Sequence, residues 1–409
     1  LASLQGLQNL EEVDGSIYVN GNHALPDLSG LNSLSATDGG IFLFDNASMT
    51  SLRGLDALRS ANGALYIGRN QTLRDLENLA NLRSVQGRLT ITNNDVLTSL
   101  AGLDSLDPRG ISQLYISYCQ KLAECNSQVI CNYLDHGGPF VILGNAPGCQ
   151  NAGEVAQACG LAGFCAPYNL TLISQNEVDS FPQKYPECSR ILGQLNIGEW
   201  NENTDITNLG SLQQITSVGH LTIRNNPSLE SLTGLENLEA IRGYFSILNN
   251  PLLLTLSDLT SLEQIDRVTI ERNESLKTLG FPGLKSLGSV IIDGNNALAD
   301  LSGLDSIRML NSLYLDNNPG LTKLTGLQNL ASVRSILEIT RHPNLKSLHG
   351  LSALQQIGSR FRVIDNASLE DLQGLENLSS VKGHVNIEGN NSLVNMQGLQ
   401  NLDSIHASF

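Results

Sequence analysis

The sequence is poor in aromatic residues and in positive charge. Aromatics make up 5% of the 409 residues, and there is a single tryptophan. Hydrophobic residues nevertheless reach 41%, so a core must be built from Leu, Ile and Val, which suits repetitive stacking. Lys and Arg number 24 against 40 Asp and Glu, a net charge of −16. That balance argues against a nucleic-acid partner, which wants a basic stripe, and disfavours an anionic membrane surface. No apolar run approaches the roughly 18 residues that a membrane span needs. The familiar catalytic signatures are missing too: there is no HExxH, GxSxG, P-loop, GxGxxG or EF-hand loop. Seven histidines are scattered along the chain, and His342 and His349 lie seven apart across a turn, which is wrong for a helical metal pair. These absences point away from an enzyme and away from any cofactor.

What is present is a repeat. Leu25-Pro-Asp-Leu28-Ser-Gly-Leu31-Asn-Ser-Leu34 returns 24 residues later as Met49-Thr-Ser-Leu52-Arg-Gly-Leu55-Asp-Ala-Leu58. Its leading leucine recurs at Leu7, Leu31, Leu55, Leu79 and Leu103. It restarts at Leu209 and continues through Leu235, Leu259, Phe281, Leu304, Leu327, Leu351, Leu375 and Leu399. The unit reads LxxLxGLxxLxxVxGxLxIxxN. The LxI run alternates and predicts a strand, the LxxL segments turn further leucines inward, and glycines mark tight corners. One such unit cannot bury its leucines alone, so units stack and share a core. The expected fold is all-β, a right-handed parallel β-solenoid of ~24-residue leucine-rich coils. An asparagine stands just past each strand, at Asn22, Asn46, Asn70, Asn94, Asn226, Asn250, Asn273, Asn295, Asn318, Asn366 and Asn390. A buried amide there can bond turn backbone and the next amide in the stack. Cys119, Trp200 and His342 are expected in the same slot of their own coils.

The repeat resembles the receptor L-domain family, on Leu-Thr-Ser-Leu-Ala-Gly-Leu-Asp-Ser-Leu (97–106), on Gly-His-Leu-Thr-Ile-Arg-Asn-Asn (219–226) and on cysteine-rich caps. The resemblance runs over nearly the whole chain. It implies two L-domain-like solenoids with short helical, disulfide-bonded caps. No long cysteine-rich module, membrane span or kinase accompanies them, which favours the microbial surface-protein branch.

Of seven cysteines, Cys119 belongs to the ladder and is expected as a free, buried thiol. Cys125, Cys131, Cys149, Cys159, Cys165 and Cys188 cluster where the repeat breaks, and an even set there reads as disulfides in an oxidising, extracellular compartment. Cys165 and Cys188 flank a short helix expected over 176–181 and are paired on that ground; the other four are left open. A second helix is expected over 127–134, with a loop at 144–149. The domains are then 1–160, a solenoid with a C-terminal cysteine cap, and 161–409, a solenoid with an N-terminal Cys165/Cys188 cap. Leu1 and Phe409 both fall mid-coil, so a longer precursor is expected.

With the core occupied by the repeat, function should sit on outward strand positions. In the first solenoid these are Tyr18, Phe42, Tyr66, Thr90 and Tyr115, with Phe44 beside them. A stripe of exposed rings can stack on sugar faces or anchor a protein, so Tyr18, Phe42, Phe44, Tyr66 and Tyr115 are the candidate contact residues. Thr90 interrupts the stripe. In the second solenoid Glu271, Asp293 and Asp316 fall on successive coils, a calcium candidate. Seven N-x-S/T sequons occur; five fall on ladder asparagines, leaving Asn169 and Asn377 as glycosylation candidates. The expected function is a secreted or cell-surface recognition and adhesion module whose partner is a protein or a neutral glycan. The alternatives are a carbohydrate-binding receptor and a filament or matrix subunit that self-associates end to end.

Overall fold

The computed structural model describes residues 1–136, 138–165 and 169–406. Two compact units divide the chain, Leu1–Tyr168 and Asn169–Phe409. Each is a stack of coils whose strands pair in parallel. In unit 1 the strands are β1 (Ile17–Asn20), β2 (Ile41–Phe44), β3 (Leu65–Gly68), β4 (Arg88–Thr92), β5 (Gln113–Ser117) and β6 (Phe140–Leu143), side by side in chain order. In unit 2 the described strands are β7 (Leu170–Leu172), β8 (Arg190–Ile197), β9 (Ser217–Arg224), β10 (Ala240–Leu248), β11 (Gln264–Glu271), β12 (Ser286–Asp293), β13 (Ser312–Asp316), β14 (Leu337–Thr340), β15 (Phe361–Ile364) and β16 (Val385–Glu388), again in chain order. Two-residue strands such as Ala36–Thr37 and Ser60–Ala61 pair along a second side of the coils.

The sequence periodicities explain this course. In β2 the inward Ile41 and Leu43 are buried while Phe42 and Phe44 are only partly covered. Past the strand, each leucine of the GLxxL segment returns its N–H to the carbonyl three residues back, as in Leu31 N to Leu28 O at 3.1 Å and Leu34 N to Leu31 O at 2.9 Å. Leu52, Leu55, Leu58, Leu65 and Ile67 are all buried in one coil, each stabilising the fold by about 1.5–3 kcal/mol. Gly54 sits at φ +108, and a Cβ there would lie 2.0 Å from the Leu28 carbonyl oxygen of the coil before. No side chain fits that corner.

Most of the described coils end their strands the same way. One residue enters the left-handed region, among them Asp45, Arg69, Asn93 and Tyr118 in unit 1, and the ladder residue follows it. Asn46 donates from Nδ2 to the Val19 carbonyl at 2.8 Å, and its Oδ1 accepts the Asn22 N–H at 3.0 Å. Asn70, Asn94, Asn250, Asn273, Asn295, Asn318 and Asn366 are likewise fully buried. The amides therefore satisfy turn backbone that would otherwise be orphaned in the core. Cys119 holds its place: the Asn94 N–H donates to its sulfur at 3.4 Å. His342 does the same, its Nδ1 accepting the Asn318 N–H at 3.3 Å.

Trp200 does not take the ladder slot. It is 70% exposed, and the Thr204 hydroxyl reaches Asn226 Oδ1 at 2.6 Å in its stead. The amide of Asn226 bonds a carbonyl 29 residues back, where 27 is the spacing at Asn46, Asn70 and Asn250. The longer coil expels Trp200 from the core.

The cysteine-rich stretch is also more solenoid than the sequence suggests. β6 pairs with β5 in parallel, and Asn145 extends the ladder by donating to the Ile116 carbonyl at 3.1 Å. Two helices cover that end, α1 (Gln128–His136) and α2 (Ala152–Ala158). Cys125 is bonded to Cys149 and Cys131 to Cys159. Closing loops of 24 and 28 residues stabilises by about 3 kcal/mol each on the chain-entropy account. Cys165 and Cys188 are disulfide-bonded as well. In unit 2 the expected helix resolves into two short ones, α3 (Gln175–Asp179) and α4 (Phe181–Lys184).

Cys119 is free and fully buried, and burial pushes its thiol up to about 11. A buried thiol with so little thiolate is inert. Alkylation at pH 8 should label no cysteine in the native chain and one in denaturant. Peptide mapping of the same sample without reduction tests the pairing of Cys165 with Cys188 that the sequence suggests.

Candidate ligand-binding face

Register brings the outward residues of unit 1 into one row: Tyr18 pairs with Phe42, Phe42 with Tyr66, Tyr66 with Thr90, and Thr90 with Tyr115. Tyr18 and Phe42 stack with ring centroids 4.6 Å apart and planes 6° apart. Phe44 meets Tyr66 edge to face at 5.8 Å. Both geometries suit the quadrupoles of the rings.

The row does not continue as one stack. A Cβ on Gly40 would meet the Phe42 ring at 2.7 Å, and one on Gly68 would meet the Tyr66 ring at 2.6 Å. Phe42 therefore lies over the start of its strand and Tyr66 over the end of its own. Beyond them Thr90 and Thr92 are small and buried. The space left is a groove of about 730 Å³ whose lining includes Phe42, Tyr66, Arg69, Arg88, Tyr115 and Tyr118, with Thr90 between them. Thr90, which breaks the aromatic stripe in the sequence, forms the floor. Tyr18 and Phe44 lie outside the groove and buttress the rings that line it.

Tyr118 is the residue that the strand pattern misses. It is 47% exposed and lies at φ 54, a left-handed position that a bulky side chain occupies at a cost of roughly 1–2 kcal/mol. Its ring covers Gly144, where a Cβ would approach within 2.8 Å. The same left-handed turn recurs at Asp45, Arg69 and Asn93, so the repeat sets this backbone and only the ring is particular to the groove. The groove also differs in charge from the acidic chain: its charged lining residues are Arg69 and Arg88, and no carboxylate lines it. Arg69 pairs with Asp45 at 3.0 Å.

Unit 2 aligns Glu271, Asp293 and Asp316, the calcium candidates, on adjacent strands. Arg341 holds Asp316 in a two-point ion pair, its Nε at 2.8 Å from Oδ1, and the Thr340 hydroxyl adds a bond at 2.8 Å. Burial raises the Asp316 carboxyl, but these bonds outweigh it and the net shift is downward. Burial, then the neighbouring carboxylate, raises Glu271 and Asp293. Among the described residues no group of three His, Cys, Asp or Glu side chains could hold a metal. Asn169 and Asn377 are exposed, whereas the sequon asparagines Asn46, Asn70, Asn273 and Asn366 are fully buried. Asn390, near the end of the stack, is half-buried.

Residues 187–308, less than a third of the chain, match the family model of the receptor L domain. No curated protein matches the chain. Among solved structures it is similar to the chain in "Crystal structure of TLR13-ssRNA13 complex", at 15% identity over 98% of this chain and 81% of that one, with a TM-score of 0.24. That score is too low for the likeness to bear on fold or ligand, and the solenoid rests on the strand register described above. Among the described residues no helix is long and apolar enough to cross a membrane.

Proposed function

We propose that this chain is an extracellular recognition and adhesion module, without catalytic activity of its own, that binds its partner in the aromatic groove of unit 1. The observation that carries this is the groove itself. Phe42, Tyr66, Tyr115 and Tyr118 line it, while the leucine core is complete without them. Rings left in water are unfavourable by about 25 cal/mol per Å² of apolar area, so a patch of this kind favours a covering partner. The receptor L-domain match supports a binding module whose partner is a protein, and the disulfides support an oxidising, extracellular setting. A neutral glycan stacked on the rings is the alternative occupant.

Binding of the labelled full chain to cell surfaces tests this, with and without prior protease treatment of the cells and with competing neutral oligosaccharides. Tyr115→Ala should weaken binding by about tenfold or more, the loss of at least 1.4 kcal/mol expected of an anchoring ring. Arg362→Ala, on a strand face of unit 2, should leave it unchanged. Protease sensitivity identifies a protein partner, and competition by oligosaccharide a glycan. Equal binding by Tyr115→Ala and the unaltered chain would overturn the assignment.

A further inference from the structure

Unit 2 contains a second, separate cavity of about 330 Å³, and its chemistry is cationic. Arg224 ends β9 on the outward face, in register with Leu248 and then Glu271. It is only 5% exposed. Trp200, expelled from the ladder, lays its ring 3.4 Å from the Arg224 guanidinium carbon. Such stacking satisfies the face of a guanidinium. Stacking on the face does not serve the N–H donors, which lie in the guanidinium plane. The buried Nη1 of Arg224 has no hydrogen-bond partner, a state that costs a charged group several kcal/mol unless something fills it. Arg272 lines the same cavity and is exposed.

Carboxylates are near but do not satisfy these cations. Glu271 lines the cavity, and Glu199 is close enough to act on Arg224 through space. Yet among the described residues neither Arg224 nor Arg272 takes part in an ion pair. Glu199 turns its Oε1 to the Trp200 N–H at 3.1 Å. Arg272 acts through space on Glu271 and Asp293, but in a chain with 40 acidic and 24 basic residues two guanidinium groups outside any ion pair on one cavity are out of character. Asn249 and Asn225 hold the cavity wall in shape: Asn249 Nδ2 donates to Asn225 Oδ1 at 2.6 Å, and Asn225 Nδ2 donates to the Glu199 carbonyl at 2.6 Å.

We propose that Arg224 and Arg272, with Trp200 as the covering ring, bind an oxyanion group, a carboxylate or a sulfate ester, carried by a small ligand. The guanidinium fork matches either group. This site is on the other unit from the aromatic groove and does not depend on what binds there.

Trp200 is the chain's only tryptophan, so its fluorescence reports on this cavity without a label. The full chain is titrated with sodium sulfate, inorganic phosphate, acetate and glucuronate, with sodium chloride at matched ionic strength and neutral glucose as references. The expected result is a saturable change in Trp200 emission with sulfate or with the carboxylates, and none with chloride or glucose. A response to glucuronate and acetate alone assigns a carboxylate ligand, and one to sulfate and phosphate alone assigns a sulfate or phosphate ester. Arg224→Gln and the exposed Arg272→Gln should each weaken the response by about tenfold or more, while Glu271→Gln, which removes a repelling charge, should strengthen it. Arg272→Gln and Glu271→Gln keep the test decisive if Arg224→Gln fails to fold. Absence of a saturable response to every oxyanion, or responses that Arg272→Gln and Glu271→Gln leave unmoved, would overturn the proposal.

Discussion

Replacing Asn250 by alanine should destabilise unit 2 by about 4 kcal/mol, from the 1–3 kcal/mol that each newly unsatisfied buried group costs. Asn250 is fully buried. Its Oδ1 accepts the Asn226 N–H at 3.2 Å and the Asn226 Nδ2 at 3.0 Å, and its own Nδ2 donates to the Ile223 carbonyl at 3.0 Å and the Leu248 carbonyl at 3.1 Å. Alanine removes all of these at once. Asn250→Cys should cost less, because a sulfur already accepts the equivalent backbone N–H at Cys119. Leu252→Ala, two residues on and 45% exposed, is the control and should stay within about 0.5 kcal/mol. Urea unfolding midpoints measure all three. A loss for Asn250→Ala no larger than that for Leu252→Ala would show that leucine packing alone holds the coils together.

Acid should weaken the same unit through His342. The ring is fully buried, its Nδ1 accepts the Asn318 N–H, and its Nε2 has no partner. Burial depresses it from the ordinary 6.5 to about 4. The unfolded chain then takes up a proton in a range where the folded chain does not. The stabilising contribution is complete above pH 6.5 and is lost as pH falls toward 4. Its size is about 3 kcal/mol, at 1.36 kcal/mol for each pH unit between the two values. His220 is also depressed by burial and acts in the same direction, while Glu271 and Asp293, raised in the fold, act oppositely. The useful quantity is therefore the difference between the chain and His342→Asn, which restores the residue type of the ladder. The difference should shift by about 3 kcal/mol between pH 7 and pH 4 in favour of the variant. A difference that does not change with pH would mean that His342 is protonated in place or open to water.

How far the sequence carries depends on how regular the coil is. Where the offset is 24 residues, the strands, the inward leucines and the ladder asparagines can all be located from the repeat, because a stacked coil leaves each position one environment. Where coils shorten to 22 or 23 residues the ladder still holds, at Asn273, Asn295 and Asn318, but where a coil lengthens the same logic misplaces residues. The coil that begins unit 2 is longer, so Trp200 falls outside the core and Thr204 takes its bond. Between 122 and 160 the cysteines hide a further coil, and only Gly144 followed by Asn145 repeats the left-handed turn and ladder pair seen at Asn93 and Asn94. The rings of the groove were legible as an alternating column. Its shape was not, since that depends on Phe42 and Tyr66 lying over glycines in opposite directions. Tyr118 carries a signal available in retrospect: it occupies the turn position that Gly21, Asp45, Arg69 and Asn93 hold in the coils before it.

The most direct test of the groove is the Phe42→Ser/Tyr66→Ser double variant, with folding stability and cell-surface binding measured on the same preparation. Both rings are only partly covered, and ring pairs contribute about 0.5–1.5 kcal/mol each. The expected result is a stability loss of about 2 kcal/mol or less together with loss of binding. A loss of several kcal/mol with binding intact would show that the rings stiffen the sheet and that the partner binds elsewhere.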